Sequence, residues 1–261
     1  MKTITSLVLV MLFALPAAVP AAGGPGAKLD PVKIDLKDQK SLHNGARIFI
    51  NYCVSCHSAS FMRYSRIGQD LGIPEDLLKK QLLFAADRVG DPMMAVMPRA
   101  DAKKWFGVAP PDLSLLARSR GPNWLYTYMR SFYRDDKAPS GWNNLVFPNV
   151  AMPHVLYEWQ GHQRAVYREV ENNQVNKDKN GKPVAKKTKT LVFDRFELER
   201  PGTLSTRDFD ENMRDLVNFM VYLGEPAKLE RYRIGAWVIG FLVLLLVFAY
   251  LLKREYWKDI H

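Results

Sequence analysis

A run near the C-terminus, residues 234–252, contains no charged residue and no proline. As a helix rising about 1.5 Å per residue, it comes close to the roughly 30 Å thickness of the hydrocarbon layer of a membrane. Trp237 and Tyr250 lie near its ends, where aromatic side chains are enriched at membrane interfaces. A core helix of one modest domain would seldom be apolar on every side for so long. The run predicts a transmembrane anchor, which we place at residues 228–253.

The N-terminus has the pattern of a secretory signal. Lys2 precedes a short apolar core at residues 7–15, and a small-residue cleavage pattern follows. A second transmembrane helix is the alternative, but the apolar run is too short and Pro16 and Pro20 follow it. We therefore predict a signal peptide at residues 1–22.

The orientation of the anchor depends on this signal. Basic residues flank the span equally: Lys228, Arg231 and Arg233 precede it, and Lys253, Arg254 and Lys258 follow it. The positive-inside rule therefore does not decide which end of the span is cytoplasmic. An exported N-terminal part places residues 23–227 in the periplasm of a bacterium, the anchor in its inner membrane, and residues 254–261 in the cytoplasm.

Composition indicates a folded protein. The 261 residues are 48% hydrophobic and 25% charged, which is ordinary for a globular chain and excludes a disordered one. The net charge of +10 would suit a nucleic acid, an anionic membrane or an acidic partner. It does not decide between them, because many of the lysines fall within residues 176–189.

Hydrophobic periodicity predicts a mainly α protein. The segments with helical spacing are residues 42–52, 74–84, 122–133 and 208–223. Residues 91–111 and 141–153 have no clear period and are expected to be irregular. Between them and the last helix, polar arms around Asn180-Gly181 predict a hairpin at about residues 166–196. It is either a docking arm or a solvated surface hairpin, and charge runs favour the solvated form.

The motif Cys53-Val54-Ser55-Cys56-His57 carries the chemistry. C-x-x-C-H is the signature of covalent c-type haem attachment, in which two thiols reach the vinyl groups of the porphyrin and the histidine binds the iron. A dithiol switch would not need His57, and zinc would need a fourth ligand without a second Cys pair to supply it. A single motif predicts one haem.

The identity of the sixth iron ligand decides whether the haem would transfer electrons or bind a small molecule. A methionine opposite the histidine raises the reduction potential. Met97 and Met152 each precede a proline in an irregular segment, and His154 and His162 are rival donors. The residues themselves leave Met97 and Met152 almost equal.

Beyond these motifs, the chain resembles the cytochrome c1 family of the bacterial cytochrome bc complex over nearly its whole length. Gly45 and Phe49 resemble the packing pair that meets a C-terminal helix, here residues 208–223. Residues 109–114, Ala-Pro-Pro-Asp-Leu-Ser, resemble the segment beside the haem, and residues 147–153 resemble the axial-methionine loop. The resemblance implies haem-binding roles for Pro111 and Arg120, the latter at a propionate, and Met152 as the iron ligand.

The same resemblance implies a function. The chain would be the electron-transfer subunit of a proton-translocating quinol–cytochrome c reductase, not catalytic by itself and part of a dimeric complex. It would accept one electron from the iron–sulfur protein beside cytochrome b and pass it to a cytochrome c. A similar anchored monohaem cytochrome of another respiratory oxidase or reductase is the alternative. An anchored dithiol oxidoreductase is the rival from another class.

The sequence leaves the charge of the electron acceptor open. Mitochondrial relatives are thought to offer an acidic face to a basic cytochrome c, whereas this chain is net basic. Carboxylates near the last soluble helix are candidates for a local acidic patch: Asp194, Glu197, Glu199, Asp208, Asp210 and Glu211.

Overall fold

The computed structural model describes residues 28–177 and 183–258. The predicted signal peptide and the predicted Asn180-Gly181 turn lie outside these residues. In chain order the elements are α1 Gln39–Tyr52, β1 Ala59–Arg63, α2 Tyr64–Leu71, α3 Glu75–Gln81, β2 Pro92–Met93, α4 Arg99–Phe106, α5 Leu116–Arg120, α6 Pro122–Arg130, β3 Phe132–Arg134, β4 Trp142–Asn144, α7 Tyr157–Gln160, β5 Gly161–Lys177, β6 Pro183–Pro201, α8 Thr206–Gly224 and α9 Lys228–Tyr256.

Helix α1 starts at a side-chain cap. The Asp38 carboxylate accepts a hydrogen bond from the Ser41 backbone N–H at 3.0 Å, which satisfies a donor that the first turn leaves unpaired. Leu42, Ala46 and Phe49 then recur at helical spacing and are buried. The predicted helix at 42–52 is confirmed, and the cap explains its slightly earlier start.

Helices α1 and α8 form the centre of the core. The Phe49 and Phe219 rings lie 5.6 Å apart between centroids, and a side chain at Gly45 would collide with the Asp215 carbonyl. Polar groups also join the two helices, since the Ser41 hydroxyl donates to the Asp215 carboxylate at 2.7 Å. The expected packing of Gly45 and Phe49 against a C-terminal helix is confirmed.

The segment expected to be irregular at residues 91–111 contains two elements. Strand β2 pairs antiparallel with β1, with Ala59 opposite Met93. Helix α4 follows Pro98 and ends at Gly107, whose positive φ of 76° is a common glycine helix terminus. The expectation was therefore wrong here, because two residues of strand and a short helix are too brief for a periodic pattern.

Helices α3 and α6 end before their predicted limits of 84 and 133. Helix α6 stops at Arg130 because the chain from Phe132 pairs as β3 with β4, with Phe132 opposite Asn144. Strand β4 also lies inside residues 141–153, which were expected to be loop. Pairing between strands replaces helix there, and the pattern of one short segment cannot reveal its partner.

The predicted hairpin is longer than residues 166–196. Strands β5 and β6 pair antiparallel from Gly161 opposite Pro201 to Lys177 opposite Pro183. At its base, Gly161 has a positive φ of 88°, and a side chain there would collide with the Arg200 carbonyl. The glycine allows the two strands to approach each other closely at the base of the hairpin.

The expected acidic patch is wrong, because arginine neutralises most of its carboxylates. Asp194 pairs with Arg168 and Arg195, Glu197 with Arg164 and Arg195, Glu199 with Arg164, Asp210 with Arg130, and Glu211 with Arg207. Asp208 accepts a hydrogen bond from the Ser205 hydroxyl at 2.7 Å. Five of the six carboxylates are thus paired with arginine, and the six do not form a free acidic face.

Helix α9 is exposed along its whole apolar length. The most apolar part of Lys228–Tyr256 has a mean hydropathy of 2.6 and is 0% buried. Water would make such exposure costly, at about 25 cal/mol for each Å² of apolar surface. In the part of the chain that the structure describes, this is the helix long and apolar enough to span a membrane.

Candidate haem site

The C-x-x-C-H motif forms a tight turn at the end of α1. The Cys53 N–H donates to the Phe49 carbonyl at 2.8 Å, which continues the helix to the first cysteine. The His57 N–H then donates to the Cys53 carbonyl at 2.8 Å, so the chain makes one more turn. Both thiols are free, with Cys53 buried and Cys56 half-buried. One turn thus presents two sulfur atoms and one imidazole together.

The imidazole of His57 is held by the main chain of Pro111. The His57 Nδ1 atom lies 2.8 Å from the Pro111 carbonyl oxygen, which fixes Nδ1 as the donor and leaves Nε2 for another partner. Burial lowers the pKa of His57, although the Pro111 hydrogen bond opposes this shift. The ring is therefore neutral at physiological pH, the form that binds a metal ion.

Residues 109–114 are fixed against the motif by a ladder of hydrogen bonds. The Leu113 N–H donates to the Ser58 carbonyl at 2.8 Å, and the Ser60 N–H donates to the Asp112 carboxylate at 2.9 Å. The Phe61 N–H donates to the Ser114 hydroxyl at 3.1 Å. These bonds position the Pro111 carbonyl, and thereby the plane of the His57 ring.

The two candidate methionines occupy different surroundings. The Met97 N–H donates to the Ser55 carbonyl at 3.0 Å, so its segment is tied to the motif backbone. Met152 packs against a small buried cluster that contains Phe132 and Trp142. Its sulfur accepts a hydrogen bond from the Tyr128 hydroxyl at 3.3 Å. Both side chains are half-buried.

The rival histidines belong to the same aromatic cluster. His154 is buried and stacks on Phe132 at 4.9 Å between ring centroids, while His162 meets the Trp142 ring at 5.3 Å. Burial lowers the pKa of His154 to about 4. Neither of its ring nitrogens has a hydrogen-bond partner among the described residues. His154 is thus neutral and a chemically competent donor.

Arg120 and Trp124 form a second polar feature on α5 and α6. The Arg120 guanidinium lies 5.2 Å from the centre of the Trp124 ring. Trp124 is buried, yet its Nε1 atom has no hydrogen-bond partner in the described part of the chain. A buried donor without an acceptor is costly. A cation beside such a donor suits a carboxylate-bearing ligand, so the residues present fit the two propionates of a haem.

The competing chemistries fit less well. A dithiol switch needs a thiol with a lowered pKa, whereas burial raises the pKa of Cys53 to about 12. Within residues 28–177 and 183–258, no group of three His, Cys, Asp or Glu side chains is arranged to hold a metal ion. Two thiols and one neutral imidazole presented by a single turn are the donors that attach a covalent haem and bind its iron from one side.

The α1–α8 pair, the motif turn between α1 and β1, and the exposed terminal helix define a membrane-anchored c-type cytochrome. Residues 33–260 match the cytochrome C1 family. The chain is 48% identical over 250 residues to cytochrome c1 of Allochromatium vinosum, which covers 96% of each protein. The chain belongs to the cytochrome c1 family.

Two other relatives bear different names. The ammonia monooxygenase gamma subunit of Nitrosomonas europaea is 43% identical over 261 residues, 100% of both chains. Cytochrome b/c1 of Bradyrhizobium diazoefficiens is 21% identical over 267 residues, which cover 86% of this chain and 34% of that longer protein.

Family membership confirms several of the predictions. The chain carries one covalently bound haem c and is an electron-transfer subunit of the cytochrome bc1 complex, which contains cytochrome b and an iron–sulfur protein. It is a membrane-anchored protein, and α9 fits a single span. The predicted fold class, a mainly α haem domain with loop and hairpin insertions and a C-terminal transmembrane helix, is also confirmed.

The hydrogen bond between Tyr128 and Met152 was not predicted from the sequence, which indicated only a helix at residues 122–133. The two residues are separated by 24 positions and meet because β3 and β4 fold the chain back. The four-residue spacing of Trp124 and Tyr128 was the available signal for two aromatic rings on one face.

Proposed function

We propose that this subunit accepts one electron from the iron–sulfur protein and passes it to a cytochrome c. The observation that carries the proposal is the motif turn, in which His57 is held by the Pro111 carbonyl with Nε2 left for iron. A histidine fixed in this way has one orientation and one tautomer. Fixed ligands suit electron transfer, since the site needs little rearrangement when the iron changes its charge.

The individual residues would have distinct roles toward the haem. Cys53 and Cys56 would hold it through two thioether bonds, and His57 and, by the family resemblance, Met152 would bind its iron. By the same resemblance Arg120 would pair with a propionate, and the Pro111 carbonyl orients His57. When bound, the haem supplies an iron that alternates between the ferric and ferrous states. A neutral thioether favours the ferrous state relative to harder donors and so supports a high potential.

A closed coordination sphere also limits the chemistry. If His57 and Met152 both bind, the iron would have no open position for oxygen or another small molecule. The chain then transfers electrons and has no substrate of its own. Catalysis of quinol oxidation belongs to the complex, which we propose is dimeric.

We further propose the topology predicted from the two ends of the chain. Residues 1–22 are removed after export, residues 23–227 lie in the periplasm, residues 228–253 cross the inner membrane, and residues 254–261 lie in the cytoplasm. The exposed apolar surface of α9 supports the span. An iron–sulfur protein and a cytochrome c on the periplasmic side would both have access to a haem there.

Two relatives bear on the partners. The name cytochrome b/c1 joins the two subunits in one protein, which supports cytochrome b as the neighbour of this chain. The name ammonia monooxygenase gamma subunit supports a second candidate, in which the chain delivers electrons to another enzyme of the membrane. Both candidates use the same haem site and differ only in the partner.

The test is isolation of the native complex through a tag on the C-terminal tail. We expect cytochrome b and the iron–sulfur protein to co-purify, and haem staining to mark this chain after denaturing electrophoresis. The control carries Cys53→Ala and Cys56→Ala and should lose the stain. Purification with a monooxygenase instead would favour the second candidate, and a normal stain in the control would contradict covalent attachment.

A further inference from the structure

The hydroxyl group of Tyr128 has a specific partner in the site. It donates a hydrogen bond to the Met152 sulfur at 3.3 Å, within the range for an acceptor as large as sulfur. Tyr128 is half-buried, and an ordinary phenol keeps its proton up to about pH 10. The hydroxyl is therefore a donor throughout the physiological pH range.

The Tyr128 ring is fixed from two sides. It stacks on Trp124, with centroids 4.9 Å apart and planes at 13°, and its other side meets the edge of Phe132 at 5.1 Å. The Tyr128 carbonyl also accepts a hydrogen bond from the Asn144 side chain at 2.8 Å. The hydroxyl is consequently held in one place, and Met152 must present its sulfur there.

A thioether sulfur has two lone pairs. One can bind iron while the other accepts a hydrogen bond, and a donor on the second lone pair withdraws electron density from the sulfur. Ferric iron loses more from a weaker donor than ferrous iron does. A hydrogen bond to a sulfur that binds the iron would thus shift the equilibrium toward the reduced state and raise the haem potential.

We propose that Tyr128 is a positioning residue for the haem iron ligand, which orients the Met152 sulfur and raises the reduction potential through its hydrogen bond. This inference rests on the proposed role of Met152. Tyr128 acts through Met152 and does not itself bind the iron. A lower potential would reduce the driving force for accepting an electron from the iron–sulfur protein.

The test replaces only the hydroxyl. Tyr128→Phe retains the ring between Trp124 and Phe132, so we expect a folded protein with normal haem staining. Its midpoint potential should fall, and added imidazole should displace Met152 about two- to tenfold more readily, the ratio that corresponds to one ordinary hydrogen bond. Potential and imidazole affinity are measured by optical titration of the detergent-solubilised full chain.

Tyr126→Phe is the matched control. Tyr126 lies on the same helix, but its ring faces the Arg130 guanidinium at 4.6 Å, so both readouts should equal those of the wild type. Equal shifts in the two variants would overturn the inference, because they would reflect a general effect on α6. Wild-type values in Tyr128→Phe would overturn it as well.

Met152→Leu separates the ligand role of Met152 from the positioning role of Tyr128. If Met152→Leu loses the sulfur-to-iron absorption band while Tyr128→Phe matches the wild type, Met152 is the ligand and only the role of Tyr128 is wrong. If Met152→Leu retains the band, the ligand assignment fails, and the inference about Tyr128 fails with it.

Discussion

Gly45 of α1 lies against Phe219 of α8 so closely that an added methyl group would come within 2.6 Å of the Phe219 Cβ atom. The same methyl group would overlap the backbone carbonyl of Asp215. Backbone atoms in a helix move less easily than the end of a flexible side chain. The contact therefore sets the distance between the two central helices, and α1 carries the motif at its end.

We expect Gly45→Ala to destabilise the haem domain. Alanine gains about 1 kcal/mol of helix propensity, but overpacking in a core costs about 1–3 kcal/mol, and more where backbone must move. The overlap with the Asp215 carbonyl puts Gly45 at the costly end, so the free energy of unfolding should decrease. Thermal unfolding of the solubilised chain measures it.

Gly90→Ala is the control for this substitution. A methyl group at Gly90 meets nothing within 4 Å, and its φ is not in the positive region. Its melting temperature should stay within the error of the wild-type value. Equal stability of Gly45→Ala and wild type would mean that α1 and α8 can separate without cost, contrary to the packing described.

Met152→Leu should leave covalent attachment intact but remove the sixth ligand. Cys53 and Cys56 are unchanged, so haem staining is expected to be normal. The methionine-to-iron absorption of the ferric protein should disappear, and the midpoint potential should fall, because water or His154 is a harder donor than a thioether.

Met97→Leu is the matched control, since Met97 also precedes a proline and lies beside the motif. It should retain the absorption band and most of the electron transfer. The reverse result would assign the iron to Met97. Retention of the band in both variants would direct attention to His154 and His162.

The sequence predicted the elements whose signals are local. The helical period of apolar residues placed α1 and α8 within a few residues of their limits. The signature at Cys53 and Cys56 required only adjacency along the chain. These features depend only on residues that are close together along the chain, so a single sequence was sufficient to predict them.

Features that depend on contacts between segments distant in the sequence were not predicted. Strands β1 to β4 are too short for a period, and each exists because another strand pairs with it. The supposed acidic patch failed for the same reason: Arg164 lies directly across the hairpin from Glu197, and only the strand register reveals this pairing. Tyr128 and Met152 likewise meet only through tertiary structure.

A stop codon in place of Lys228 should release the haem domain from the membrane. Helix α8 ends at Gly224, before the truncation, and all the exposed apolar surface of α9 is removed. We expect nearly all of the haem-stained protein in the periplasmic fraction. A stop in place of Lys253 keeps the span and should leave the protein in the membrane. Retention of the shorter protein after signal removal would indicate a second anchor.

Arg130 links three segments at the edge of the core. Its guanidinium binds Asp210 through two nitrogens at 2.6 and 2.9 Å and Asp30 at 2.5 Å. It also lies over the Tyr126 ring. The side chain is only 24% exposed, so solvent screens these contacts less than it would at an open surface.

Arg130→Lys should lower the free energy of unfolding by about 1–2 kcal/mol. Lysine keeps the charge, but a single ammonium cannot reproduce the planar two-nitrogen contact with Asp210 while also reaching Asp30. Arg207→Lys is the control. Arg207 pairs with Glu211 on the same helix as Asp210, but its side chain is 86% exposed. Exposed ion pairs of this kind contribute about 0–1 kcal/mol to the free energy of unfolding. Thermal unfolding of both variants at low and high salt separates them. Only the Arg130 variant should melt earlier than the wild type at both salt concentrations, and equal melting of the two variants would show that the Arg130 contacts stabilise no more than a surface pair.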